Sequence, residues 1–301
     1  MNPYYTDYSE YISRFFPGEK IQKISINAGF SCPNRDGTIG KGGCIYCDNR
    51  SFTPSYCFKG ASVEEQLIEG KRFFARKYPQ MKYLAYFQSY TNTGQRSIEY
   101  LDSIFRVALE VEDVLGLIVG TRPDCISDDV IEMLVKLGEK GKIFVELGAE
   151  SSHNQTLKLI NRGHSWEDTK DAVDRLSKRG ISVGLHLIMG LPGETEKMML
   201  DTVESVSSIP IESLKIHHLQ ILSDTPLMRM YENREIEVAT FSMEEYMELC
   251  VKMIKIVPKE IAIERFLASS PTEKVVAPKW GIKNYEFINL LHNRLKNQLV
   301  V

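Results

Sequence analysis

The sequence has no long apolar run: no stretch approaches the roughly 18 uninterrupted apolar residues of a membrane span. Its opening, MNPYYTDYSEYISRFF, lacks the apolar centre of a secretory signal, so a cytoplasmic location is expected. An excess of one charge is missing too. The 37 Lys and Arg face 40 Asp and Glu, a net of −3, which excludes a surface that is cationic throughout. No low-complexity tract, long linker or short-period repeat breaks the chain. Cysteine is scarce, six in 301 residues. In a reducing compartment these are expected as thiols or metal ligands, and a chain this long buries a core without disulfides.

What is present is alternation. Short runs rich in Val, Ile, Leu and aromatics predict strands at Ile21–Asn27, Tyr83–Gln88, Val114–Val119, Ile143–Leu147, Val183–Met189 and Leu214–Leu219. Between them, amphipathic stretches predict helices at Val63–Lys77, Ser97–Glu110, Asp128–Leu137, Trp166–Lys178 and Thr195–Ser207. Ser165 followed by Asp168 marks a capping-box start. Met243–Ile256 and Asn284–Asn297 read as helices, and Ile261–Leu267 as a further strand. Strands joined by helices imply right-handed crossovers and a parallel sheet, either open and doubly wound or curled into a barrel. In both, ligands bind at the carboxyl ends of the strands.

The loop after the first strand carries Cys32, Cys44 and Cys47 in the spacing C-x11-C-x2-C, with Gly40, Gly42 and Gly43 between them. Such glycines let a loop fold back and bring the thiolates to one metal centre. Soft thiolates select zinc or iron–sulfur. A zinc site with Cys57 as fourth ligand is one reading, giving a zinc-stabilised RNA-binding or scaffold protein. A cubane held by three cysteines, with one iron open, is the other.

These residues resemble the radical S-adenosylmethionine (SAM) superfamily, whose usual signature is C-x3-C-x2-C with an aromatic residue before the third cysteine; Tyr46 stands in that place. The longer first spacing is similar to the elongator-acetyltransferase type. Gly29-Phe30-Ser31-Cys32-Pro33-Asn34-Arg35-Asp36-Gly37 resembles a bacterial group of about this length, labelled YtqA/YhcC-like. The resemblance implies a partial (β/α)6 TIM-like barrel with N- and C-terminal extensions, divided here as a core of residues 1–230 and an extension of 231–301. It implies a [4Fe–4S] cluster on Cys32, Cys44 and Cys47, SAM as cofactor, and an enzyme that cleaves SAM to a 5′-deoxyadenosyl radical. A reductant such as flavodoxin or ferredoxin is the implied partner, and tRNA modification the suggested setting.

The other strand ends are assigned by the same resemblance. The Gly-Gly-Glu that meets the SAM amino group in the superfamily is absent after the second strand, where Thr91, Asn92 and Thr93 offer oxygen acceptors. The run Glu146-Leu147-Gly148-Ala149-Glu150-Ser151, followed by Asn161-Arg162-Gly163-His164, matches the strand end and helix that bind SAM. Glu150 is assigned to the ribose hydroxyls, Arg162 to the SAM carboxylate, and Ser151 to the same contact region. Met189, opening Met189-Gly190-Leu191-Pro192-Gly193, falls in the segment that lies against adenine. Cys125, in the loop after the third strand with Arg122 and Asp124, is the candidate hydrogen-atom donor. Adjacent His217 and His218 point to opposite faces of a strand, so at most one faces a barrel interior. Lys274, Lys279, Trp280 and Lys283 set an aromatic among basic residues, as single-stranded RNA surfaces do.

Overall fold

Each strand of the main sheet after the first is reached through a helix that begins on a Ser or Thr hydroxyl. The computed structural model describes all residues except 1, 49–52, 58–59, 77–79, 95 and 299–301. Helix α1 (Tyr8–Ser13) precedes β1 (Ile21–Ile26), and α2 (Pro33–Asp36) and α3 (Val63–Ala75) lead to β2 (Lys82–Phe87). Then come α4 (Ile98–Glu110), β3 (Val114–Thr121), α5 (Asp128–Leu137) and β4 (Lys142–Glu150). Next are α6 (Asn154–Leu159), α7 (Trp166–Lys178), β5 (Ser182–Met189), α8 (Glu196–Ser207) and β6 (Ser213–His218). The chain ends with β7 (Ile221–Leu222), α9 (Pro226–Glu232), α10 (Met243–Ile256), β8 (Ala262–Arg265), β9 (Val275–Ala277) and α11 (Asn284–Gln298). The caps are Ser62, Ser97, Ser127, Ser165, Thr195 and Ser242, each accepting a backbone N–H of its first turn. Ser165 and Asp168 form the expected capping box.

Seven strands pair in the order β1-β2-β3-β4-β5-β6-β8, every pair parallel. The six expected strands are all present. The run near Ile261 contracts to β8, which adds a seventh, so the sheet continues across the division expected at residue 230. The expected end of the first long helix, Lys77, lies outside the described residues; α3 is assigned to Ala75. Strands β1 and β8 are the two edges of the sheet, yet Lys23 of β1 reaches Glu264 of β8 at 2.5 Å. Only a curled sheet brings opposite edges together, and this one is a partial barrel. The β8 edge is itself paired by the segment before α1, with the Ile263 N–H donating to the Thr6 carbonyl at 2.9 Å.

Strand alternation sorts the interior into two environments. Outward residues such as Ile24, Val119, Val145, Leu185 and Ile216 are fully buried against the helices and form the main core. At the amino end of the lumen, Leu84, Ile118 and Phe144 pack on Tyr11 and Ile12 of α1, which plugs the barrel floor. Above that apolar plug the inward positions turn polar, and the carboxyl mouth is left open for a site.

Candidate active site

Cys32 caps the single turn of α2, and the loop then folds back over it. The amides of Ile39 and Gly40 both donate to the Pro33 carbonyl, and Gly43 N–H donates to the Asn34 carbonyl at 2.8 Å. Gly42 and Gly43 sit at φ of +82° and +80°, where a side chain is strained, and a Cβ on Gly43 would come within 2.7 Å of Arg35. This return carries Cys44 to the buried side chain of Asn34, whose amide lies 3.8 Å from the thiol and donates to the Asn161 carbonyl at 2.5 Å. Arg35 anchors the end of the loop by donating to the Cys47 carbonyl at 2.6 Å. Cys32, Cys44 and Cys47 consequently line one cavity of about 230 Å³. Burial, reinforced by Cys44, pushes the Cys47 thiol up to about 11, so a metal must displace a proton to bind it.

The opposite wall of that cavity is the end of β4. The register between β4 and β5 shifts between Gly148 and Glu150, and Glu150 takes φ of +65°, a left-handed conformation that is costly for a residue with a side chain. The Glu150 carboxylate faces Arg162 at 3.4 Å. Arg162 donates to the Gly148 carbonyl at 2.7 Å and lies 3.8 Å from the Cys44 sulfur, while its buried Nε has no partner among the described residues. A Cβ on residue 148 would sit 2.6 Å from both the guanidinium and the carboxylate, so the cradle exists because residue 148 is glycine. Behind it, Arg122 grips Asp124 with both arms, at 2.9 and 2.7 Å, and donates to the Arg162 carbonyl at 2.8 Å.

The sequence pattern described as "Radical SAM superfamily" matches residues 32–206, and that of the "Radical_SAM C-terminal domain" matches 211–297. The first alone covers more than half of the chain. The chain belongs to the radical SAM superfamily. It is 36% identical over 284 residues to "Uncharacterized protein YtqA" of Bacillus subtilis (strain 168), covering 93% of this chain and 86% of that one. It is 30% identical to the tRNA uridine(34) acetyltransferase of Methanocaldococcus infernus over 61% of this chain and 34% of that protein. Among solved structures, Methanocaldococcus infernus Elp3 with an N-terminal deletion superposes with a TM-score of 0.68 at 20% identity, over 93% of this chain and 63% of that one. That likeness is one of fold, and it agrees with the curled seven-stranded sheet.

As a radical SAM enzyme the protein uses a [4Fe–4S] cluster and SAM. The residues fit both: three soft thiol donors share the cavity with an orphaned buried guanidinium nitrogen and the gap above Gly148. Among the described residues no three His, Cys, Asp or Glu side chains close around a single ion. Cys57, the fourth ligand of the zinc reading, turns its thiol to the Ser25 carbonyl at 3.2 Å.

Tyr46, Glu150, Arg162 and Thr91 line this cavity; Asn92, Ser151, Met189 and Cys125 do not. Asn92 ties strand ends together, donating to the Phe87 and Gly120 carbonyls at 2.9 and 2.7 Å. The Ser151 hydroxyl donates to Glu194 and accepts from the His153 amide. Met189 has outward parity and is buried in the helix-facing core; its inward neighbour Ile188 lines the cavity instead. Cys125 lies beside the Thr91–Gly94 turn, close to Pro33. Burial and then Asp124 push its thiol up to about 12. His217 faces the lumen, its ring centroid 5.7 Å from that of His186, while His218 faces out and stacks on Trp280 at 4.3 Å. Trp280 also donates to the Phe241 carbonyl, and Lys274 pairs with Asp48 at 2.6 Å.

Sequence reasoning missed the charged layer beneath the cavity. Glu146 of β4 pairs with Lys23 at 3.0 Å and Lys215 at 3.1 Å, and bonds to Tyr86 at 2.7 Å and His186 at 2.6 Å. Lys215 also pairs with Glu264 at 3.1 Å. Burial opposes ionisation of Glu146, but Lys215, Lys23 and the bond from His186 outweigh it and hold the carboxyl well below its usual range. The signal was there: Lys23, Glu146, His186, Lys215 and Glu264 interrupt strands that are otherwise apolar on a buried sheet.

Proposed function

We propose that this radical SAM enzyme abstracts a hydrogen atom from its substrate, and that the substrate is a tRNA nucleotide. The observation that supports the reaction most is the meeting of three thiols and the Gly148–Glu150–Arg162 cradle in one cavity. When bound, the cluster and SAM supply a 5′-deoxyadenosyl radical.

The residues of the chain orient and shield. Cys32, Cys44 and Cys47 would hold three irons. Arg162 would meet the SAM carboxylate with its fork, and Glu150 would accept the ribose hydroxyls. Tyr46 would wall the cavity between Cys44 and Cys47. Arg35, Asn34 and Arg122 hold the loop and the cradle in register without touching the reacting atoms. Among the described residues no helix is long and apolar enough to cross a membrane, and we place the enzyme in the cytoplasm with flavodoxin or ferredoxin as reductant.

Support for tRNA comes from relatives, including the tRNA uridine(34) acetyltransferase, and not from the basic residues near Trp280. The test is tRNA binding across a salt series, alongside 5′-deoxyadenosine release with and without tRNA. Binding that weakens steeply with salt and release accelerated by tRNA are expected. SAM cleavage with no tRNA binding at low salt would remove tRNA and leave the radical chemistry standing.

A further inference from the structure

Below the cofactor cavity lies a second, larger one of about 810 Å³, bordered by β1, α1 and Phe73 and Phe74 of α3. The four residues that line both cavities are Tyr86, Gln88, Lys215 and Arg265. All four carry hydrogen-bond donors and none is acidic. Tyr86 and Lys215 are spent on Glu146. The other two have donors to spare. Gln88 accepts from Ser25 through Oε1 at 3.1 Å, and its amide N–H groups have no partner among the described residues. Arg265 is half-buried and makes no hydrogen bond or ion pair with any described residue.

Arg265 is aimed there by a local device. Pairing between β6 and β8 matches Leu214 to Ile263 and then Lys215 to Arg265, so Glu264 is an extra residue in β8. A bulge of this kind breaks the alternation and re-aims side chains. Glu264 thereby reaches Lys23 and Lys215 while Arg265, the next residue, still lines the lumen. At this level three cations, Lys23, Lys215 and Arg265, face two carboxylates, Glu146 and Glu264. One positive charge is left over, and it sits on the unpartnered guanidinium.

We infer that Arg265 and the Gln88 amide form a receptor for an oxyanion, a carboxylate or phosphate, on the substrate portion that reaches the neck between the two cavities. The planar fork of arginine matches either group through two parallel bonds. This inference rests on the proposed function only in calling the ligand the substrate; the receptor itself is testable without turnover.

The test is thermal unfolding of the anaerobically reconstituted protein in malonate or inorganic phosphate, at constant ionic strength against chloride. Wild type should rise by about 3 °C once the anion is about tenfold above its dissociation constant. Arg265→Gln should lose the rise and Arg265→Lys should keep only part of it. Protection by phosphate alone identifies a nucleotide phosphate, and protection by malonate alone a carboxylic acid. SAM binding to both variants, measured in parallel, should stay within twofold of wild type, which also reports an intact fold. No protection of wild type, equal protection of Arg265→Gln, or a tenfold loss of SAM affinity on replacing Arg265 would overturn the receptor. Failure of wild type to bind SAM would instead overturn the functional reading.

Discussion

Arg162 stands 3.4 Å from Glu150 across a gap that exists because residue 148 has no side chain. Gly148→Ala should push the guanidinium and carboxylate apart while leaving the outward face of β4 untouched. SAM affinity is expected to fall at least tenfold, with an unfolding midpoint within a few degrees of wild type. Equilibrium dialysis of SAM against the reconstituted protein checks this; undiminished affinity would remove Arg162 and Glu150 from the cofactor site.

The four cysteines nearest the amino end should divide three to one. Cys32→Ala, Cys44→Ala and Cys47→Ala should each lose the brown absorbance of the reconstituted cluster. Cys57→Ala should keep it, because its thiol binds the Ser25 carbonyl. Loss of iron in Cys57→Ala, or stoichiometric zinc in a colourless wild type, would favour the structural-zinc reading.

Removing Glu146 leaves Lys23 and Lys215 to share Glu264 alone. Glu146→Ala should cost about 3–5 kcal/mol, the usual penalty for breaking a buried pair, read from urea unfolding at pH 7. The carboxyl is held well below its ordinary value in the folded protein, so its contribution is present above the unfolded value near about 4.3 and is lost as pH falls through the folded one. The stability gap between wild type and Glu146→Gln should therefore narrow in acid. A gap unchanged from pH 7 to the acid limit of folding would contradict the sign.

Cys125 sits beside the Thr91–Gly94 turn and outside the lining of the cofactor cavity. Its thiol, pushed up to about 12, stays protonated at neutral pH. Alkylation by iodoacetamide at pH 7.5 should be slow, and Cys125→Ser should change 5′-deoxyadenosine release by less than twofold. A loss of a hundredfold would restore it as a hydrogen-atom donor.

Much of the architecture could be read from the sequence, because it depends on local pattern. Six parallel strands and their capped helices follow from apolar runs and Ser or Thr starts. The cysteine loop and the Glu150–Arg162 pair follow from motif resemblance. The charged lumen was harder, since Lys23, Glu146, Lys215 and Glu264 are far apart in sequence and meet only when the sheet curls. Met189 was displaced by one residue of strand parity, a slip that exchanges the lumen for the core. The Ser151 hydroxyl is taken by Glu194 and the Asn92 amide N–H groups by the Phe87 and Gly120 carbonyls, while the buried Asn92 Oδ1 has no partner among the described residues. Trp280 stacks on His218, 62 residues earlier, a contact that no local pattern in the sequence announces.

The most direct measurement is anaerobic: reconstitute with iron and sulfide, add SAM and dithionite, and quantify 5′-deoxyadenosine by chromatography with mass detection. Product is expected from wild type, with tRNA present to allow for a substrate requirement, and none from Cys47→Ala. A colourless wild type that carries stoichiometric zinc and yields no product would contradict that expectation.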